Sequence, residues 1–272
     1  MYKITIREGL VPSIHLFKIE APAVAQKAQA GQFVVVRVDE KGERIPLTIA
    51  DWDREEGSIT IVFMEVGATT HKLAQLKAGD SIANLVGPLG LPTHMEKYGT
   101  VVCVGGGVGV APIFPVARAF KEAGNKIISI IGARNKDLLF WEDRVRDVSD
   151  SLIVTTDDGS YARKGVVTEP LKELLEGDVR IDRVIAIGPA IMMKFCAQTT
   201  KPFSVPTIVS LNPIMVDGTG MCGCCRVEVG GETKFTCVDG PDFDGHQVDW
   251  DLLFARQRIY LDEEKRAMAQ WE

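Results

Sequence analysis

Between Thr100 and Leu211 five apolar runs, TVVCV (100–104), IISII (127–131), LIVTT (152–156), RVIAI (183–187) and PTIVSL (206–211), alternate with segments mostly long enough for a helix. Strands that are apolar on both faces cannot leave either face in water, so the pattern predicts a parallel sheet covered by helices on both sides. The first 96 residues read differently. Lys3 to Arg7, His15 to Ile19, Phe33 to Val38 and Ile59 to Met64 are short alternating runs broken by Gly, Pro and charged turns, the pattern of a small antiparallel β-barrel.

The tail beyond residue 211 has a third character. Asp217, Cys222, Cys225 and Cys237 fall at D-x4-C-x2-C-x11-C. A plant-type [2Fe–2S] loop has C-x4-C-x2-C and a distant fourth Cys, so the spacing matches except that Asp217 stands where the first Cys would be. Gly218, Gly220 and Gly223 give the loop the freedom to converge its ligands. A hairpin with strands Arg226 to Gly230 and Thr233 to Thr236, turning at Gly230-Gly231, is predicted to return Cys237 to them. The competing reading is a structural zinc site built from Cys222, Cys225, Cys237 and either Cys224 or His246, but a zinc ribbon offers a second close pair and here only one Cys lies downstream. The remaining tail is read as a loop and helix packing back. Cys103, inside a strand, and Cys196, inside a helix, read as plain buried thiols, and Cys224 as a neighbour of the cluster rather than a ligand.

The expected fold is therefore a β-barrel domain (1–96), an α/β parallel-sheet nucleotide domain (97–211) and a small C-terminal [2Fe–2S] subdomain (212–272). Composition narrows the partners. A net charge of -6 argues against nucleic acid, which requires basic patches. No apolar run approaches the ~18 residues of a membrane span, and no signal peptide is read, so a cytoplasmic protein without a disulfide framework is expected.

Glycines at 105, 106, 107 and 109 follow the first parallel strand, and Pro112 falls near the expected start of a helix. Such a turn lets a diphosphate approach backbone and helix N-terminus, although the strict G-x-G-x-x-G spacing is not met because Val110 holds the last position. The later strands end in Gly132-Ala133-Arg134, in Thr156-Asp157-Asp158-Gly159-Ser160 and in Gly188-Pro189-Ala190, at the edge where open α/β sheets bind ligands. Asp157 and Asp158 could accept from ribose hydroxyls and would repel a 2′-phosphate, which favours NADH over NADPH, while Arg134 argues the other way. A DDGS run is equally a good turn sequence. In the barrel, Arg44 can pair with phosphate and Thr48 offers a hydroxyl, while Gly67, Thr69 and Thr70 precede a short helix.

In that order, RxPxT at 44–48, GxTT at 67–70, GPLG at 87–90, GGGVGVAP at 105–112 and GPxxM at 188–192 resemble the ferredoxin-NADP reductase-like flavoproteins over essentially the whole chain. The tail and CVDGP at 237–241 resemble the electron-transfer subunit of dihydroorotate dehydrogenase type B. The likeness is stronger still to the small (alpha) subunits of NADH-dependent ferredoxin:NADP oxidoreductases, also known as sulfide dehydrogenase beta subunits, which use Asp plus three Cys where the dihydroorotate subunit uses four Cys. The resemblance implies that the β-barrel (1–96) is an FAD domain, that Arg44 binds the FAD pyrophosphate, that Pro46 and Leu47 line the flavin, and that Thr48 lies near flavin N5. It further places Phe63 and Met64 beside FAD, and Gly67, Thr69 and Thr70 at its diphosphate. Gly106, Gly107, Gly109 and Pro112 would shape the NAD(H) pyrophosphate site, with Asp157, Asp158, Gly159, Gly188 and Pro189 around the rest of that cofactor. Asp217, Cys222, Cys225 and Cys237 would be the metal ligands. Ferredoxin reductases proper have an aromatic residue where Pro46 stands.

Nicotinamide exchanges hydride, a [2Fe–2S] cluster exchanges single electrons, and flavin does both, so FAD is expected between the other two. No acid, base or nucleophile is then required of the chain. The four histidines (His15, His71, His94, His246) read as scattered, and as structural or exposed rather than catalytic. The resemblance also implies a partner, a larger flavin and [4Fe–4S] subunit similar to the glutamate synthase small subunit, in a heterodimer performing electron bifurcation among NADH, NADPH and ferredoxin. Two alternatives stand beside it: the electron-transfer subunit of a dihydroorotate dehydrogenase type B, and a non-enzymatic redox sensor or zinc-stabilised interaction module.

Overall fold

Branched and aromatic residues at alternating positions build the first sheet from β1 (Tyr2–Val11), β2 (Ile14–Glu20), β3 (Phe33–Arg37), β4 (Arg44–Asp53), β5 (Ser58–Met64), β6 (Ser81–Ile82) and β7 (Asn84–Leu89), with short helices α1 (Pro22–Ala25) and α2 (Ala68–Ala74) in the connections. The structure, a computed structural model, describes residues 1–271. The strand order is β6-β1-β2-β5-β4-β3-β7, every pairing antiparallel. Its two edge strands are separated in the chain by Ala83 alone, so the sheet curls until its edges come together as a nearly closed barrel. Inside, Phe17 and Phe63 meet edge to face with ring centroids 5.1 Å apart, among fully buried Ile4, Ile19, Ile49, Ile59 and Ile61. Each such side chain contributes about 1.5–3 kcal/mol of burial free energy.

The second sheet contains β8 (Thr100–Gly106), β9 (Lys126–Ala133), β10 (Ser151–Thr156), β11 (Arg163–Lys164), β12 (Arg183–Ile187) and β13 (Thr207–Ser210). Their order is β11-β10-β9-β8-β12-β13, all parallel, with the crossovers carrying α3 (Val110–Glu122), α4 (Glu142–Asp147), α5 (Thr168–Glu176) and α6 (Ala190–Thr200). Val101 through Val104 are wholly buried, as covered parallel strands require. Pro112 is the third residue of α3, within the first turn, where an N–H has no helical acceptor. Cys103 and Cys196 are fully buried and burial pushes both thiols up to about 12, so both are structural.

The tail contributes β14 (Arg226–Val229), β15 (Glu232–Phe235), α7 (Thr236–Asp239), β16 (Asp242–Asp244), α8 (Trp250–Gln257) and α9 (Leu261–Trp271). Strand β16 pairs antiparallel with β13 and so completes the second sheet. Two compact units result. The barrel takes Met1–Leu91, Asn212–Gly240 and the described residues from Asp249 onward, whereas Pro92–Leu211 and Pro241–Val248 form the other. The hairpin strands of the tail were expected but β16 was not, because one apolar residue between two Asp is too short a run to signal a strand. It is held instead by the half-buried Asp242, whose Oδ2 accepts from Thr93 Oγ1 at 2.6 Å and whose carboxyl is pushed up by desolvation.

Candidate metal centre and nucleotide sites

The metal loop is built on the barrel. Phe33 and Val35 of β3 pack with Met215, Cys225 and Cys237 in one buried cluster that also takes in Leu89 of β7 and Phe235. Gly218, at φ +75°, presses against this wall, and a Cβ there would stand 2.8 Å from Leu89 Cδ1 and Val35 Cγ2. Gly230 and Gly231 turn β14 into β15 at positive φ as the sequence predicts, but β15 stops at Phe235, so Cys237 lies in the helical turn α7 rather than on the hairpin arm. The Thr236 amide donating to the Cys225 carbonyl at 3.1 Å draws that turn onto the loop. As a result Cys225 Sγ and Cys237 Sγ lie 3.2 Å apart, both 2% exposed, and the Gly220 amide donates to Cys237 Sγ at 3.1 Å. Burial, and then Cys225, push the Cys237 thiol up.

Asp217 closes the other half of the loop. Its Oδ1 accepts from the Thr219 amide and its Oδ2 from the Cys222 amide, each at 2.9 Å. Those amides, led by Thr219, hold its carboxyl below the usual carboxylate range, and the Arg44 guanidinium adds to the effect. Cys222 is exposed and Cys224 half-buried. The four donors thus lie as two pairs, and among the described residues no three His, Cys, Asp or Glu side chains stand close enough to hold a metal ion. Three thiols, one anionic carboxylate and a backbone amide already on a sulfur are nevertheless the donor chemistry of a [2Fe–2S] loop. The zinc reading loses one of its ligands: His246 belongs with the parallel sheet, its Nε2 2.8 Å from Thr200 Oγ1.

On β4 the strand period sorts the expected flavin residues. Ile45 and Leu47 pack against the barrel core, so Arg44, Pro46 and Thr48 share the opposite face. The side chain of Leu47 therefore faces the core, and so does Phe63, 2% exposed, whereas Met64 is 39% exposed. Gly67 caps α2, and the Thr70 hydroxyl accepts from the Val66 and Gly67 amides at 2.9 and 3.0 Å. Thr69 donates to Glu43 Oε2 at 2.7 Å. The histidines are less scattered than they read: His15 Nε2 pairs with Glu65 Oε1 and His71 Nδ1 lies 2.9 Å from Glu65 Oε2. His15, followed by His71, holds the Glu65 carboxyl below its usual range. This trio bridges β2, the end of β5 and α2, and no short-range spacing announces it.

In the parallel-sheet unit, Gly109 lets α3 approach β12. A Cβ there would lie 2.2 Å from the Ile187 carbonyl oxygen and 2.7 Å from Gly188 Cα. Gly107, by contrast, has open space around it. Gly106 and Gly188 both face Met192, and Pro189 caps α6. Asp157 and Asp158 follow β10, exposed, but they differ in role. Asp158 Oδ1 accepts from the Ser160 amide at 2.9 Å, and Ser160 holds its carboxyl low, so Asp158 shapes the turn that ends at Gly159 and Asp157 is the freer acceptor.

Residues 212–249 match the iron–sulfur cluster binding domain of dihydroorotate dehydrogenase B. A Thermotoga maritima dihydroorotate dehydrogenase B (NAD(+)) electron transfer subunit homolog is 54% identical over 249 residues, 92% of this chain and 88% of that one. The chain belongs to the family of dihydroorotate dehydrogenase B electron-transfer subunits and their homologues. An uncharacterized protein of Clostridium beijerinckii, from the region 3′ of adh, is 51% identical across 100% of this chain and 95% of its own. A chain of the NADH-dependent reduced ferredoxin-NADP oxidoreductase, whose structure gave insights into flavin-based electron bifurcation, superposes with a TM-score of 0.95 at 50% identity, covering 100% of this chain and 98% of that one. Phthalate dioxygenase reductase, at 16% identity and a TM-score of 0.60 over 84% and 85% of the two chains, shares the fold alone. Members of this family act in redox complexes as electron-transfer subunits, and no helix among the described residues is long and apolar enough to cross a membrane.

Proposed function

We propose that the chain is the NAD(H)-oxidising, electron-transferring subunit of a bifurcating NADH-dependent ferredoxin:NADP oxidoreductase, working in the cytoplasm with FAD, a [2Fe–2S] cluster and NAD(H). The observation that carries this reading is Asp217 at the first ligand position, folded into the same loop as Cys222 and joined there to its amide. Full-length likeness to a chain of the oxidoreductase supports it. When bound, FAD supplies the exchange between hydride and single-electron chemistry that neither other group can perform. The chain's own residues then bind and orient. Arg44, Pro46 and Thr48 form the barrel face that would receive the flavin and its phosphates, with Leu47 offering backbone only. Met64 would cover the cofactor's edge, Phe63 would brace it from within the core, and Gly67, Thr69 and Thr70 would meet the diphosphate. Gly106, Gly107, Gly109 and Pro112 would shape the dinucleotide's turn, with Asp157, Gly159, Gly188 and Pro189 around its ribose and nicotinamide ends and Asp158 fixing the turn. Asp217, Cys222, Cys225 and Cys237 would ligate the cluster.

The partner in this reading is a larger flavin and [4Fe–4S] subunit similar to the glutamate synthase small subunit, with ferredoxin served through the complex. Val216, Met221 and Val238, respectively 44%, 88% and 40% exposed around the metal loop, support such a docking face. The name of the Thermotoga relative favours a second reading, service to a dihydroorotate dehydrogenase, which Asp217 in place of Cys counts against. Rapid mixing under anaerobic conditions separates the nicotinamide assignment from its opposite. NADH is expected to bleach the bound flavin faster than NADPH, because Asp157 repels a 2′-phosphate; faster bleaching by NADPH would remove it.

A further inference from the structure

Helix α8 is fastened to the metal loop from behind. Asp249 caps it, its Oδ1 accepting from the Leu252 amide at 2.9 Å, and the Asp249 amide donates to the Glu228 carbonyl of β14 at 2.9 Å. Leu253 is 1% exposed, and Gln257 Nε2 donates to the Asn212 carbonyl at 3.1 Å, at the start of the tail. From this fixed helix Arg256 sends Nη2 to the carbonyl of Cys224 at 3.0 Å, across 32 residues of sequence. That carbonyl lies in the middle of the Cys222–Cys225 segment. The Nε of Arg256 is buried without a hydrogen-bond partner, so the side chain is drawn under the loop rather than lying on the surface. The only other guanidinium hydrogen-bonded to this segment among the described residues, that of Arg226, is on an exposed residue and reaches the Gly223 carbonyl at 3.4 Å.

A guanidinium stays charged at any pH a protein tolerates, and here one of its N–H groups ties down the Cys224 carbonyl, a bond a lysine ammonium can also make. One-electron reduction adds a negative charge to a cluster, and a fixed positive charge nearby stabilises the reduced form more than the oxidised form. We propose that Arg256 is a positioning residue of the metal loop that also sets its redox potential: the guanidinium holds the Cys222–Cys225 segment in its ligating shape and raises the potential of the cluster bound there. This rests on the [2Fe–2S] reading above.

The test is a redox titration of the full chain followed by paramagnetic resonance, with iron and acid-labile sulfide measured on the same samples, for the wild type, Arg256→Gln and Arg256→Lys. A wild-type protein without a signal on reduction would remove the [2Fe–2S] reading itself, and this inference with it. Given that signal, Arg256→Gln is expected to be harder to reduce by about tenfold at a given potential, about 59 mV for a one-electron couple, while Arg256→Lys stays near the wild type. A wild-type midpoint in Arg256→Gln overturns the proposal. If Arg256→Gln binds too little iron to titrate, Arg256→Lys decides: full loading at the wild-type midpoint supports the proposal, whereas empty protein or a lowered midpoint overturns it.

Discussion

Cys237→Ser is expected to strip the chain of its iron while leaving the flavin bound. Cys237 is 2% exposed, lies 3.2 Å from the Cys225 sulfur, and receives the Gly220 amide, so it is the donor around which the loop closes. Serine has nearly the same shape, so the hydrophobic wall of Phe33, Val35 and Met215 stays packed. What is lost is a thiolate, and a [2Fe–2S] core needs anionic sulfur at that place. Iron and sulfide should fall from about two per chain to a small fraction of that, whereas Cys103→Ser, in the other unit, should leave both unchanged. Of the flavin face on β4 only Arg44 bears on the loop, and it does so at Asp217 rather than at Cys237, so the visible spectrum of the flavin is the internal control. Retention of wild-type iron by Cys237→Ser would show that the loop is not the metal centre.

Gly109→Ala is the second large effect, and its cause is purely steric. The residue sits at φ -64°, which alanine adopts freely, yet the added methyl would meet the Ile187 carbonyl at 2.2 Å and Gly188 Cα at 2.7 Å. Both obstacles are backbone, which cannot swing aside as a side chain can. Helix α3 must lift from β12, at about 3 kcal/mol, the upper end of ordinary overpacking. Gly107→Ala faces the reverse situation, a φ of +54° but open space, and should cost only about 1 kcal/mol of backbone strain. Denaturant unfolding of both variants should therefore rank Gly109→Ala well below Gly107→Ala. Equal midpoints would contradict the packing of α3 on the sheet.

Where the sequence was legible, it was because one physical signal acted locally. The two strand periods separated barrel from parallel sheet, and the Asp/Cys spacing located the metal loop. The face of Leu47 was also legible, since Ile45, Leu47 and Ile49 alternate with polar and proline positions, whereas the motif likeness says only that Leu47 lines the flavin and not with which of its atoms. Other features depend on long-range register. Glu65 joins two histidines only because β2 pairs with β5, setting His15 opposite Phe63 and Ile14 opposite Met64, and because α2 then returns His71 to the same carboxylate. Strand β16 was hidden because a half-buried Asp242 bonded to Thr93, rather than an apolar pattern, fixes it. The reach of Arg256 to Cys224 is likewise a product of how α8 docks on β14.

The central claim is that this chain carries electrons from nicotinamide through flavin to an iron–sulfur loop headed by Asp217. Its most direct test is paramagnetic resonance on the anaerobically purified wild-type chain, with flavin and metals quantified before and after adding NADH. The account predicts about one FAD and two irons per chain and a reduced-cluster signal that appears with NADH. Protein that holds neither flavin nor iron, or that holds one zinc and gives no signal on reduction, would contradict it.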